Sequence, residues 1–234
     1  MADRVKSGIP GLDDVIGGGF VRGSLILLTG TTGTGKTVMA SQYIYNALAR
    51  YKENCVYISF EERAEDIKRN MANFGWNFEE YERNGNLIFV KYDPFHMEDI
   101  YGLIENHIRD VGATRVVLDS ITGLGLNVRD PSDLRTAIFN IGRILKKLGC
   151  TSLLTSETPS DNHLVLSRYG VEEYVADDVI VLYYIPVDTE FRRAMTVWKM
   201  RGSEHSKKIH PFRITEKGIT IYPHEETALK LERG

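Results

Sequence analysis

A run of seven glycines and threonines followed by a lysine and another threonine carries a specific chemical implication. Gly30-Thr31-Thr32-Gly33-Thr34-Gly35-Lys36-Thr37 fits the pattern GxxxxGK[ST], between an apolar run at 25–28 and a helix-spaced stretch from Val38. Glycines let the backbone turn so that several N–H groups point at one centre, and the helix start adds positive potential. Lys36 then reaches β- and γ-phosphates, and the Thr37 hydroxyl can ligate Mg²⁺. Such a loop needs an acid at the end of another buried strand, and Asp119 follows Val116, Val117 and Leu118. Its carboxylate can hold Mg²⁺ through a water, although a strand-end Asp can also simply cap the next turn. Hydrolysis wants a further carboxylate to orient or deprotonate water, and Glu61-Glu62 ends the run "CVYISFEE". Two like charges so close raise the pKa of one, which suits a general base. The alternative is acids placed at a helix start, where Glu65 and Asp66 also lie.

Strand-like runs fall at 25–29, 54–60, 86–91, 115–120 and 150–156, with helical spacing over about 36–50, 63–74, 97–111 and 132–148. Asp130 or Ser132 caps the last helix, and Gly149 stops it. Alternation of this kind predicts a parallel sheet covered on both sides, with the strand ending in Glu61-Glu62 beside the phosphate-loop strand. After Glu173 the runs at 178–185, 194–200, 209–214 and 219–222 follow through short turns, which predicts an antiparallel extension of the same sheet. Without a linker or repeat, residues 1–234 read as a single domain.

With 42% hydrophobic and 26% charged residues, the chain has the composition of a globular protein. It has no apolar stretch of membrane-helix length, Met1 to Ile9 has none of signal-peptide length, and its two cysteines, Cys55 and Cys150, lack CxxC spacing, so a cytoplasmic setting with free thiols is expected. A net charge of −3 offers no global attraction for a phosphate backbone. The histidines, including His96 and His163, show no metal-ligand spacing. Phe74, Trp76 and Phe78 read as packing at a helix end.

"SGIPGLDDVIGGGFVRGSLILLTGTTGTGKT", "SFEE", "VVLDS", "YVADDVIVL" and "WKMRGSEH", in that order, resemble a single KaiC-like domain of the RecA/RadA ATPase superfamily over nearly the whole chain. The resemblance implies an α/β RecA-like core that binds ATP and Mg²⁺. It places Lys36 and Thr37 on phosphates and metal, Asp119 as the Walker B acid, and Glu61 and Glu62 as paired catalytic glutamates. It also implies a homo-oligomer, a hexameric ring with ATP held between subunits, in which Lys199 and Arg201 of "KMRGS" reach the neighbour's γ-phosphate. A cation delivered in trans would stabilise charge on the transferred phosphoryl oxygens and tie hydrolysis to assembly. Thr155-Ser156-Glu157 takes the position that senses the γ-phosphate in relatives.

The chain departs from the clock protein, a tandem of two such domains, where an adjacent Ser-Thr pair accepts phosphate. Glu173-Tyr174 stands there, which weighs against autokinase activity and leaves Tyr174 as the remaining hydroxyl. The loops "ITGLGLNVRDP" and "TSETPSDNHLVLSRYGVEEY", which bind DNA in recombinases, carry few cations, so nucleic-acid binding should be weak and salt-sensitive. Arg63, Lys68, Arg69, Arg135, Arg143, Lys146 and Lys147 could still form a basic face. The expectation is a regulatory ATPase, with a RadA-like repair factor and a non-hydrolysing ATP-dependent scaffold as alternatives.

Overall fold

In the computed structural model, which describes residues 3–93, 97–125, 130–159 and 165–225, the apolar runs become strands. In chain order these are β1 (Arg4–Val5), β2 (Phe20–Val21), β3 (Leu25–Gly30), β4 (Cys55–Ser59), β5 (Leu87–Lys91), β6 (Arg115–Asp119), β7 (Thr151–Glu157), β8 (Asp178–Val187), β9 (Glu190–Met200), β10 (His210–Thr215) and β11 (Gly218–Ile221). The helices are α1 (Leu12–Val15), α2 (Lys36–Tyr51), α3 (Ala64–Met71), α4 (Phe78–Arg83), α5 (Met97–Val111), α6 (Ile121–Gly125), α7 (Pro131–Lys147) and α8 (Glu172–Val175). His96 and His163 lie outside the described residues, as do 126–129 and 160–164 of the two loops.

Side-chain parity sets the layers. Ile26 and Leu28 of β3, Tyr57 of β4 and Val117 of β6 pack with α1 to α4, whereas Leu25, Leu27, Val56, Ile58, Val116 and Leu118 pack with α5 and α7. Each strand thus offers alternate residues to opposite helical layers, as a sheet buried on both faces requires. Among the described residues the main sheet has the order β11-β10-β9-β8-β3-β7-β6-β4-β5. The strands from β8 to β5 pair in parallel, and β8 to β11 form the expected antiparallel extension.

The sheet order corrects one expectation. β4 does not flank β3: both edges of β3 are taken, by β7 and β8, which bring Glu157 and Leu182 level with Gly30. β4 pairs with β6 instead, and Ser59 stands level with Asp119. The strand leading to Glu61-Glu62 is therefore next to the Asp119 strand, with β7 and β6 lying between it and the strand of the phosphate loop. Hydrophobic period identifies a buried strand but not its neighbours.

The helix expected over 63–74 stops at Met71, tightens into a 3₁₀ turn at Ala72–Phe74 and reverses through Gly75 at φ 75°; α4 follows. Phe74 and Trp76 stack at 4.8 Å, and Trp76 and Phe78 are buried, so these aromatics are packing. Asp130, rather than Ser132, caps α7, its Oδ1 accepting from the Ser132 amide at 2.8 Å.

Two polar ties cross the fold. Arg115, fully buried, donates to both Glu53 carboxylate oxygens at 2.5 and 3.1 Å and to the Lys6 carbonyl at 2.8 Å, between the rings of Tyr43 and Tyr51. Gln42 of α2 clasps Ile219 of β11 twice: its Nε2 donates to the Ile219 carbonyl at 2.9 Å, and its Oε1 accepts the Ile219 amide.

Candidate phosphate and metal site

β3 delivers the chain into the loop at Gly30, and Gly35 launches α2. Gly33 and Gly35 sit at φ 81° and 101°, where an L side chain is strained. A Cβ on Gly35 would also stand 2.7 Å from Ile214 Cδ1. α2 starts without a side-chain cap, so its first amides are free to meet an anion. Lys36 is buried beneath the loop, where its Nζ donates to the carbonyls of Gly30 at 2.9 Å and Thr31 at 3.0 Å. Burial pulls the Lys36 pKa down, while Glu157, Asp119 and Glu61 push it back up. The ammonium therefore lies within the field of three carboxylates at the carboxyl ends of the parallel strands.

Asp119 continues the parity of Val117 and so faces the α2 side of the sheet. Only 7% exposed, it accepts from the Tyr57 hydroxyl at 2.6 Å on one carboxylate oxygen and from Thr155 on the other. Two hydroxyl donors hold the carboxylate plane and leave lone pairs for a metal-bound water. The donor set of Thr37 hydroxyl, Asp119 carboxylate and phosphate oxygens is all oxygen, which fits Mg²⁺ and its retained waters.

Glu61 and Glu62 follow β4, both exposed. Ser120, joined to Asp119 by a cis peptide, donates to Glu61 Oε1 at 2.6 Å. Glu62 has its pKa raised, first by burial and then by Asp119, Glu61 and Asp66. This agrees with the expectation that one glutamate is raised, though desolvation exceeds the like-charge effect. Glu157 lies on the other side of the loop, 3.9 Å from Lys36 Nζ and within reach of the Thr32 hydroxyl at 3.3 Å.

Lys199 and Arg201 are not brought to this site. Lys199 pairs with Val179, itself level with Leu27, and the Arg201 amide donates to Asp177, whose own amide donates to Leu25. Five residue steps lead from Leu25 to Gly30, or about 17 Å at roughly 3.3 Å per residue. Lys199 Nζ donates to the carbonyls of Glu173 at 3.0 Å and Ala176 at 2.6 Å, while Arg201 and Lys146 share Asp177.

A family model described as "ATPase: KaiC" matches residues 5–226. The chain belongs to the KaiC ATPase family. Relatives of this family include a "UPF0273 protein" from Thermotoga maritima, 39% identical over 96% of this chain and 98% of the relative. "Circadian clock protein KaiC3" from Synechocystis is 33% identical over 99% of this chain but only 47% of its own length, so the chain spans about half of that relative. The crystal structure of a "KaiC-like protein" from Pyrococcus horikoshii superposes with a TM-score of 0.89 at 42% identity, covering 95% of this chain and 100% of that one. The sheet order above is thus that of a KaiC-like fold.

For a KaiC-type chain, the motifs point to the loop but not to the groups that brace it. Tyr57 reads as a core strand residue, and only its parity with Asp119 would have signalled the contact. Within the segment Thr155-Ser156-Glu157, Thr155 donates to Asp119 and Glu157 approaches Lys36. Glu172, counted as a loop acid, is fully buried and accepts from Ser156 at 3.0 Å. Of the conjectured basic face, Arg63 and Arg69 pair with Asp66, and Lys68 with Glu82.

Proposed function

We propose that the chain is an Mg²⁺-dependent ATPase whose active sites are completed between copies, and that it works as a regulatory switch in which nucleotide occupancy sets assembly. In this reading the amides of Gly30 to Gly35 and the Lys36 ammonium bind the triphosphate, and Thr37 and Asp119 hold Mg²⁺. When bound, the ion neutralises charge between β- and γ-oxygens. Glu61 and Glu62 orient and deprotonate water, and burial raises the Glu62 pKa, which suits a general base. Lys199 and Arg201 serve the neighbouring copy's γ-phosphate, in a ring that the family resemblance suggests is hexameric. A cytoplasmic setting accords with two free, buried thiols.

The observation that carries the shared-site reading is the split between the two ends of the sheet. Lys36, Asp119 and Glu61 interact at the carboxyl ends of the parallel strands, whereas Lys199 and Arg201 stand several strand residues below. A monomer supplies its own loop and acids but no cation from those positions.

Complementation tests it. Arg201→Ala and Glu61→Gln/Glu62→Gln should each be inactive alone while still binding ATP. Mixed in equal parts, random head-to-tail assembly pairs intact acids with an intact arginine at about a quarter of sites. Turnover should return to about that fraction of wild type. Full activity of Arg201→Ala by itself, or a mixture as inactive as its components, refutes the shared site.

A further inference from the structure

Glu157 is an acid for which the phosphate-loop motif has no place. Along β7 the side chains facing the α2 side of the sheet are Leu153, in the core, Thr155, which donates to Asp119, and Glu157. The Glu157 Oε1 atom accepts from the Thr32 hydroxyl at 3.3 Å and lies 3.9 Å from Lys36 Nζ. One carboxylate oxygen therefore meets both a hydroxyl of the loop and its ammonium. Burial pulls the Lys36 pKa down, and of the three carboxylates opposing that pull Glu157 acts most strongly, ahead of Asp119 and Glu61. Glu157 is thus the main counter-charge of the lysine on which the triphosphate depends.

The backbone that carries this carboxylate is pinned on three sides. Ser156 donates to the buried Glu172 at 3.0 Å, the Glu157 amide donates to the Thr122 hydroxyl at 3.0 Å, and the Thr158 amide donates to the Gly30 carbonyl at 3.3 Å. β7 lies between β3 and β6, with Glu157 level with Gly30, so the carboxylate stands between the loop strand and the Asp119 strand. The far end of a triphosphate must come to that side if its oxygens are to share a metal ion with Asp119. The Glu157 side chain, 36% exposed, has room to swing, but its charge stays at the edge of the site. Two anions drawn to one ammonium repel each other, and a γ-phosphate brings more negative charge there than a β-phosphate alone.

We infer that Glu157 sets the nucleotide preference of this site: its carboxylate competes with the γ-phosphate for Lys36 and so narrows the advantage of a triphosphate over a diphosphate. This rests on the reading of the loop as a nucleotide site and adds the residue that grades its affinity. A site graded in this way exchanges a diphosphate for a triphosphate less readily than the loop and Lys36 alone would allow.

The test titrates wild type, Glu157→Gln, Glu157→Asp and Lys36→Ala by calorimetry with ADP and with the β,γ-imido analogue of ATP, each with Mg²⁺, and records thermal midpoints. Glutamine keeps the size of the side chain and an acceptor for Thr32 but drops the charge, so its midpoint should change little. The triphosphate analogue should bind about tenfold tighter to Glu157→Gln, a figure between those of exposed and desolvated charge pairs, and ADP less than about threefold tighter. Glu157→Asp, which keeps the charge on the same pinned backbone, should retain the wild-type preference. Damage to the fold weakens binding, so a gain in affinity reports the charge itself. Unchanged or weaker triphosphate binding in Glu157→Gln, equal gains for both nucleotides, or as large a gain in Glu157→Asp overturns the inference and leaves the nucleotide site standing. If neither nucleotide binds wild type, or Lys36→Ala binds both as wild type does, the reading of the loop fails and this inference with it.

Discussion

Tyr57→Phe removes one oxygen and leaves the ring stacked on Phe89 at 4.2 Å. The bond lost is the 2.6 Å contact with Asp119, made where Tyr57 is fully buried and Asp119 only 7% exposed. A hydrogen bond to a charged group contributes about 1.5–3 kcal/mol. At about 2–4 °C per kcal/mol for a chain of this size, the thermal midpoint should fall about 3–12 °C. Thr155 still holds the other carboxylate oxygen, so Asp119 remains in the site but pivots about a single restraint. Losing such a support typically costs about 10–100-fold in metal affinity. Turnover measured against Mg²⁺ concentration at saturating ATP should therefore shift its half-maximal point upward by that factor, while metal-free nucleotide binding is unchanged. An unchanged Mg²⁺ requirement alongside a lowered midpoint would show that the hydroxyl is merely stabilising, and would refute its role in aiming Asp119.

Glu53→Ala leaves Arg115 fully buried with its charge uncompensated; such losses run about 3–5 kcal/mol. Because Glu53 reaches solvent, about 3 kcal/mol is expected, read by calorimetry, and a loss under about 1 kcal/mol would contradict it. Burial pushes the Asp178 carboxyl up to about 6. The folded state thus holds that proton more tightly than the unfolded chain, and the stabilisation is full below pH about 4 and lost as pH rises through 6. Asp178→Asn should match wild type near pH 4 and exceed it at pH 7 by up to about 3 kcal/mol; parallel stability profiles would rule this out. For Glu62, raised first by burial, the base form appears at higher pH than for a free glutamate. The acid limb of kcat should lie there and disappear in a Glu62→Gln variant retaining residual turnover, which a pH series from 4 to 8 checks.

The phosphate loop was legible because its chemistry is local: glycines, lysine and threonine must sit at fixed spacing, and the strand before and helix after are short-range patterns. Asp119 was legible for the same reason, as the polar end of an apolar run. The expected strands and long helices appear within a few residues of their predicted bounds. Sheet order was not legible. Nothing in 54–60 distinguishes a neighbour of β3 from a neighbour of β6, since both sites bury alternate residues on two faces. The bracing groups were hidden likewise, because Tyr57, Thr155 and Glu172 gain meaning only from what lies across the sheet. α4 escaped notice because six residues, Phe78–Arg83, span less than two turns and carry little periodic signal.

The double clasp of Gln42 on Ile219 links residues 177 positions apart, and so binds the beginning of the chain's work to its end. While the polypeptide is being made from its amino end, the glycine-rich loop emerges well before the strand that steadies the following helix. A half-made copy therefore presents the glycines and the lysine without their backing. The loop's helix is thus held by a strand that the ribosome delivers long after the loop itself.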